Sequence, residues 1–227
     1  MTRTNQTQPA LNAHHQQPWY RQAAAVIPRH VYLKGFGTML FISLFFGAYF
    51  YLLKHQAYPT TVIPLTWLDH RIDFQPLALP LYISLWVYVS LPPLFLATRR
   101  AVYGYGLAIA GVCLTALTIF YFWPTTIPTA NTEWAQQRGL DFLKSIDAAG
   151  NACPSLHVAT AIFSGIWLHH LLRRFGAPLG ILFTNWAWCI GIVYSTMATR
   201  QHVALDVLAG LVLGVPAAYL SLRYRLP

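Results

Sequence analysis

Charged residues are scarce in this chain, at 9% of 227 positions, and acidic ones are scarcer still, with six Asp and Glu against fifteen Lys and Arg. A soluble domain carries about 25% charged residues, so the chain lacks the polar surface that a water-soluble fold needs. With 56% hydrophobic residues, the composition places it among membrane proteins. The net charge of +9 raises nucleic acid as a partner, but the basic residues are scattered and form no Lys/Arg-rich run, which argues against it. Cysteine is also sparse. Cys113, Cys153 and Cys189 offer no C-x-x-C pair and no even-numbered disulfide framework. Cys113 and Cys189 fall inside apolar runs, where a small packing role fits them. This content points to no structural metal and no cofactor.

Apolar length is what the chain has in quantity. Residues 1–30 are rich in Gln, Asn, Thr, Pro and His and read as a flexible polar tail on the cytoplasmic side. They are too long and too polar to be the basic start of a cleavable signal peptide. The rest, 31–227, reads as one membrane domain. Its six apolar runs lie near 35–53, 77–96, 103–123, 154–172, 179–197 and 203–220. Each has about the 17–25 residues that a helix needs to cross a hydrocarbon core of ~30 Å. The expected fold is all-α, a polytopic membrane protein with six transmembrane helices. The fourth and sixth runs fit least well, since one begins with Ser155 and His157 and the other contains Asp206. Pro92-Pro93, Gly104, Gly106, Gly210 and Gly214 are tolerated in packed membrane helices.

Lys and Arg counts set the orientation. With six spans, the tail, the loops 97–102 and 173–178 and the C-terminus share one side, which holds ten of the fifteen basic residues. The other side holds Lys54, Arg71, Arg138, Lys144 and Arg200, together with all six acids. Both termini are therefore expected in the cytoplasm. The longer connections, 54–76 and 124–153, then face outward. Within the second, Trp134, Leu140, Phe142, Leu143 and Ile146 fall roughly on one helical side, so the stretch is either an interfacial helix or plain loop. A short six-span chain of this kind fits a bacterial inner membrane.

The polar residues that interrupt the apolar pattern carry the chemistry. The stretch "NACPSLHVA", 151–159, puts Ser155 and His157 at the outer end of the fourth span. The fifth span ends on the same side in "YSTMATRQHVALDVLAG", 194–210, which gathers Ser195, Arg200, His202 and Asp206. His202 and Asp206 are four apart at the start of a helix and share one face. The carboxylate can then fix the imidazole tautomer and leave the other nitrogen free to attack. Arg200 offers a positive fork for phosphate oxygens, and serine hydroxyls with helix-start N–H groups complete an oxyanion cradle. Such a set suits phosphoryl transfer through a phosphohistidine, with a second histidine protonating the leaving oxygen. No metal is needed if Arg200 and the helix ends neutralise the charge.

"PSLH" followed by "S-x6-H-x3-D" resembles the second and third signature motifs of the type 2 phosphatidic acid phosphatase superfamily, over roughly residues 115–215. That resemblance implies a six-span lipid phosphatase or lipid phosphotransferase whose partners are a lipid phosphate and the surrounding membrane lipids. By position it implies His202 as nucleophile, Asp206 as its orienting partner, His157 as general acid, and Ser155 and Ser195 as phosphate ligands. The third motif commonly reads Ser-Arg, whereas Thr196 follows Ser195 here. The form "ST-x2-T-x-Q-H" is more similar to the inositol phosphorylceramide synthase-like branch, with the basic residue at Arg200. "TWLDHRIDFQP", 66–76, also looks similar to a segment ahead of that branch's second span. The first motif departs from the pattern: Thr129 stands where an Arg is expected, and no Lys or Arg occurs between Arg100 and Arg138. One phosphate-binding cation is then missing, or is supplied by Arg138 or Lys144 from the outer loop.

Other polar and aromatic residues take simpler readings. His169-His170 beside Arg173-Arg174 is an interfacial anchor, His55 and His70 are outer-loop residues, Trp186 and Trp188 are packing residues, and Cys153 is a small neighbour of the site. The leading expectation is a metal-independent lipid phosphatase acting at the outer face. Three alternatives stay open: head-group phosphotransfer to an alcohol, a non-catalytic binding or transport protein, and a zinc site built from His157, His202 and Asp206.

Overall fold

The structure is a computed structural model that describes residues 17–128 and 151–224. Long apolar segments with no water to satisfy their backbone must close their hydrogen bonds internally, and the described chain is accordingly mostly helical. In order it forms α1 (Trp19–Val26), α2 (Val31–Lys54), a 3-10 turn at Pro76–Ala78, α3 (Leu79–Ile83), α4 (Leu85–Leu94), α5 (Arg99–Phe122), α6 (Leu156–Phe175), α7 (Leu179–Ala198) and α8 (Ala204–Arg223). Five segments are long and apolar enough to cross a membrane: α2, Pro76–Leu94, α5, α7 and α8.

The run with the weakest apolar character, α6, matches the others in length but is not among those five. Its surroundings explain this. α6 packs against α4, α5, α7 and α8, and Val158, Ala159, Ala161, Phe163 and Ser164 along it are fully buried. A helix that meets protein on most sides does not need the lipid-compatible surface of its neighbours. The other long helices do carry such a surface: Phe36 on α2, Leu107 on α5, Phe183 on α7 and Val212 on α8 are all exposed.

Small residues bring α8 onto α6. A Cβ on Gly210 would lie 2.6 Å from the Ser155 carbonyl oxygen, and one on Gly214 would lie 2.5 Å from that of Ala159. Only a residue without a side chain allows backbones that close, the small-xxx-small logic of membrane helix pairs. Polar links add specificity. The Asn185 amide of α7 donates to the Gly165 carbonyl of α6 at 3.1 Å, and its Oδ1 accepts from the Tyr88 hydroxyl of α4 at 2.7 Å. Trp167 of α6 donates to the Ser221 hydroxyl of α8 at 2.9 Å.

Three local features depart from the sequence reading. Residues 19–26 of the expected polar tail form α1, with Ala23 and Val26 buried; residues 1–16 lie outside those described. The buried Lys34 ammonium ties this helix down, donating to the carbonyls of Val26 at 2.9 Å and Leu94 at 2.8 Å. The second apolar run is interrupted at Ser84 between α3 and α4. There the Ser84 hydroxyl donates to the Leu81 carbonyl at 2.6 Å and accepts from Trp188 of α7 at 2.8 Å. The connections that follow α2 and α5 are also joined by a short parallel pairing of β1 (Thr61–Val62) with β2 (Thr125–Thr126). The segment 133–146, read as interfacial helix or loop, lies outside the described residues.

Candidate active site

Two helix starts and one helix end meet at the same end of the bundle. α7 ends in a Schellman turn, with the Arg200 N–H bonding the Met197 carbonyl at 2.9 Å and the Gln201 N–H bonding the Thr196 carbonyl at 3.0 Å. The left-handed residue of such a turn is usually glycine, but here it is Arg200, at φ +54. A non-glycine residue in that region costs about 1–2 kcal/mol, and strained positions of this kind gather at functional sites. The turn swings the chain directly into His202 and the first residues of α8.

Asp206 is the third residue of α8 and is fully buried. Its Oδ2 accepts from the Val203 N–H at 3.1 Å, which is one half of a capping box. Val203 has no side-chain oxygen to return the other half. A distant loop satisfies a different N–H of this first turn: Asp69 Oδ1 accepts from the Ala204 N–H at 2.8 Å. Asp69 is buried, its Oδ2 receives the Thr66 N–H and hydroxyl at 2.7 Å each, and its main-chain oxygen accepts from Arg200 Nη1 at 2.7 Å. One residue of the 64–76 loop therefore fixes both the start of α8 and the head of Arg200. Gln75 secures the same loop to α7 through its N–H on the Ala198 carbonyl at 2.7 Å.

His202 Nδ1 stands 3.4 Å from Asp206 Oδ2. That is longer than a charge-assisted bond of about 2.7–2.9 Å, but pairs of this kind are often loose until substrate binds. The arrangement directs Nδ1 to the carboxylate and leaves Nε2 as the outward nitrogen. The His157 ring lies across from it, with centroids 5.8 Å apart. Tyr82 stacks on His157 at 4.3 Å and 19°, Trp86 meets it edge-on at 6.0 Å, and the Tyr82 hydroxyl is 3.4 Å from His157 Nδ1.

The serines are placed differently from an open cradle. Ser155 caps α6, its Oγ accepting from the Val158 N–H at 3.3 Å, and Ser195 Oγ donates to the Ile192 carbonyl at 2.7 Å. Both are fully buried. Ser155 also stitches the two helix starts together through its N–H on the Asp206 carbonyl at 3.0 Å. Cys153 adjoins the site, and burial together with the nearby Asp206 carboxylate pushes its thiol up to about 11. Arg138 and Lys144, the two candidate replacements for the missing cation, lie outside the described residues, as does Thr129.

The histidine pair opens on a cavity of about 1120 Å³ between α2, α4 and α5. Asn151, Gln201, His157 and His202 line its polar end, and the walls run past Phe45 and Trp86 as far as Lys34. Sequence reasoning brought Ser155, His157, Ser195, Arg200, His202 and Asp206 to one end of the bundle, and the structure places them there. It did not find Asp69, Tyr82 or Asn151. Asp69 lies in a segment already singled out, 66–76, but its burial shows only in the structure. Tyr82 was indistinguishable from ordinary aromatic packing. Among the described residues, no group of three His, Cys, Asp or Glu side chains is arranged to hold a metal ion.

The family model of the PAP2 superfamily matches residues 97–226. The chain belongs to the PAP2 superfamily. The match runs from α5 to the end of α8 and contains the histidine pair, Asp206 and Arg200, whereas Asp69 and Tyr82 come from the chain ahead of it. No curated protein and no solved structure matched. Membership in the PAP2 superfamily, together with several apolar helices, indicates a membrane protein with phosphatase- or phosphotransferase-type chemistry on lipids.

Proposed function

We propose that this PAP2 superfamily protein is a lipid phosphatase with a phosphohistidine intermediate at His202. The observation that carries the reading is the opposition of His157 and His202 across the polar end of an apolar cavity, with Asp206 behind His202. The lipid's phosphate sits between the two rings and its chains lie along the apolar walls. His202 Nε2 attacks phosphorus while Asp206 holds the proton-bearing Nδ1 and stabilises the imidazolium that forms. The bond from phosphorus to the lipid oxygen breaks, and His157 gives that oxygen a proton. Water then attacks phosphorus, passes a proton to His157, and the P–N bond breaks to release inorganic phosphate. Arg200, anchored through Asp69, supplies positive charge beside the phosphoryl oxygens.

In this reading α6 is the sixth membrane span, both termini are cytoplasmic, and the site faces the outer side of a bacterial inner membrane. The ten-to-five Lys/Arg asymmetry supports that orientation. An alcohol in place of water would turn the same chemistry into head-group transfer, and the motif form around Ser195–His202 supports keeping that second reading.

Phosphate release by the purified protein in detergent tests the proposal, using phosphatidate, phosphatidylglycerol phosphate, a polyprenyl diphosphate and a lipid A phosphate. Release that survives EDTA and is lost in His202→Ala is the expected result. Full activity in that variant would end the nucleophile assignment. Turnover that requires an added alcohol would decide for transfer over hydrolysis.

A further inference from the structure

Asn151 is a buried side chain that nothing among the described residues satisfies. It is 4% exposed, and neither Oδ1 nor Nδ2 has a hydrogen-bond partner among the described residues. A buried amide left in that state is destabilising, and such groups are uncommon enough to require an explanation. Its place is not accidental. Asn151 adopts φ +59, a conformation that Asn tolerates better than most residues. The two residues after it are clamped to β2, the Ala152 N–H on the Thr125 carbonyl at 3.1 Å and the Cys153 N–H on the Thr125 hydroxyl at 2.8 Å. The amide is thus held by a fixed backbone, and it lines the same cavity end as His157 and His202.

We propose that Asn151 is a head-group ligand, its Nδ2 donating to a non-bridging oxygen of the lipid phosphate and its Oδ1 accepting from an O–H of the same group. The inference rests on reading the site as a phosphoryl-transfer centre. The amide chemistry fits: a phosphate oxygen takes the N–H donors, while a protonated phosphate oxygen or a neighbouring substrate hydroxyl meets the carbonyl. It also fits the sequence, since this chain carries Thr129 where a first-motif cation is expected. A fixed neutral donor then does part of the work of a positive charge.

Two variants separate binding from folding. Asn151→Gly removes the amide and keeps the backbone unstrained at positive φ. Asn151→Asp keeps the shape, loses the N–H donors and sets a like charge against phosphate. Orthovanadate serves as the probe, through inhibition of phosphate release and through the rise in unfolding temperature it causes, beside the unfolding temperature without it. The expected result is about a 10- to 100-fold loss of vanadate affinity in Asn151→Gly, the worth of a hydrogen bond to a charged group. The loss in Asn151→Asp is expected to be larger. KM rises more than kcat falls, and the unfolding temperature without ligand stays level or increases. Lysolipid substrates with and without a free hydroxyl beside the phosphate identify the partner of Oδ1: only the hydroxyl-bearing one loses its advantage in the variants if the partner is that hydroxyl.

Vanadate affinity equal to wild type in Asn151→Gly overturns the inference, and so does a lower unfolding temperature with unchanged kinetics, which would make the residue structural. If the wild-type protein itself neither releases phosphate nor binds vanadate, the phosphoryl-transfer reading falls and this inference falls with it.

Discussion

Asp69 caps the helix that carries Asp206, although it lies in a different loop: its Oδ1 accepts from the Ala204 N–H at 2.8 Å, satisfying a first-turn donor at a helix start where Val203 has no side-chain oxygen. The same residue's carbonyl holds Arg200 Nη1 at 2.7 Å. Asp69→Ala is expected to destabilise the protein by about 1–2 kcal/mol, as loss of an N-cap does, and to lower activity by loosening the turn that sets His202. Asp69→Asn retains an acceptor and is expected to lose less of both. Thermal unfolding in detergent and phosphate release, measured on the two variants together, check this. Equal stability and activity in Asp69→Ala would show that the cap is unimportant.

The contact between α6 and α8 is expected to be intolerant of any side chain at its centre. A Cβ at Gly214 would fall 2.5 Å from the Ala159 carbonyl oxygen, so Gly214→Ala must push the two helices apart. Overpacking of this kind costs about 1–3 kcal/mol. Because α6 carries His157 and α8 carries Asp206, the displacement also widens the space between the two histidines. A fall in both unfolding temperature and kcat is expected for Gly214→Ala. Gly180, with open space around its Cβ position, provides the control, and Gly180→Ala is expected to change neither.

Cys153 sits beside the site without a reactive thiol. Its pKa is pushed up to about 11 by burial and by the Asp206 charge, so at neutral pH it is protonated and a poor nucleophile. Iodoacetamide labelling of Cys153 is expected to be slow at pH 7 and to accelerate as the pH rises toward 11, because the thiolate fraction grows in that direction. Cys153→Ser is expected to keep its phosphatase activity. Rapid labelling at pH 7, read by peptide mass, would contradict this.

The apolar runs were legible because each helix must be apolar over a length set by the membrane, and their ends agree with the structure to within a few residues. The candidate site was legible for a related reason: Ser155, His157, His202 and Asp206 lie at the ends of apolar runs, where polar residues stand out against an apolar background. Asp69 was not legible as a cap, because its bond to Ala204 joins residues 135 apart and nothing local in 66–76 signals a partner. The β1–β2 pairing was hidden for the same reason, since two-residue strands have no periodicity to read. Tyr82 and Trp86 did not stand out because a stack on His157 and a stack on another helix require the same residues. α1 was taken for tail because eight residues with few large apolar side chains become a helix here through docking on α6 and the Lys34 tie, not through their own pattern.

The most direct test of the central claim is rapid-quench trapping of protein-bound phosphate during turnover of a lipid labelled in its phosphate. An acid-labile, alkali-stable label on the peptide containing His202, absent from His202→Ala, is the result expected of an attacking imidazole. Turnover with no label on the protein, or with the label on another residue, would contradict the assignment of His202 as the nucleophile.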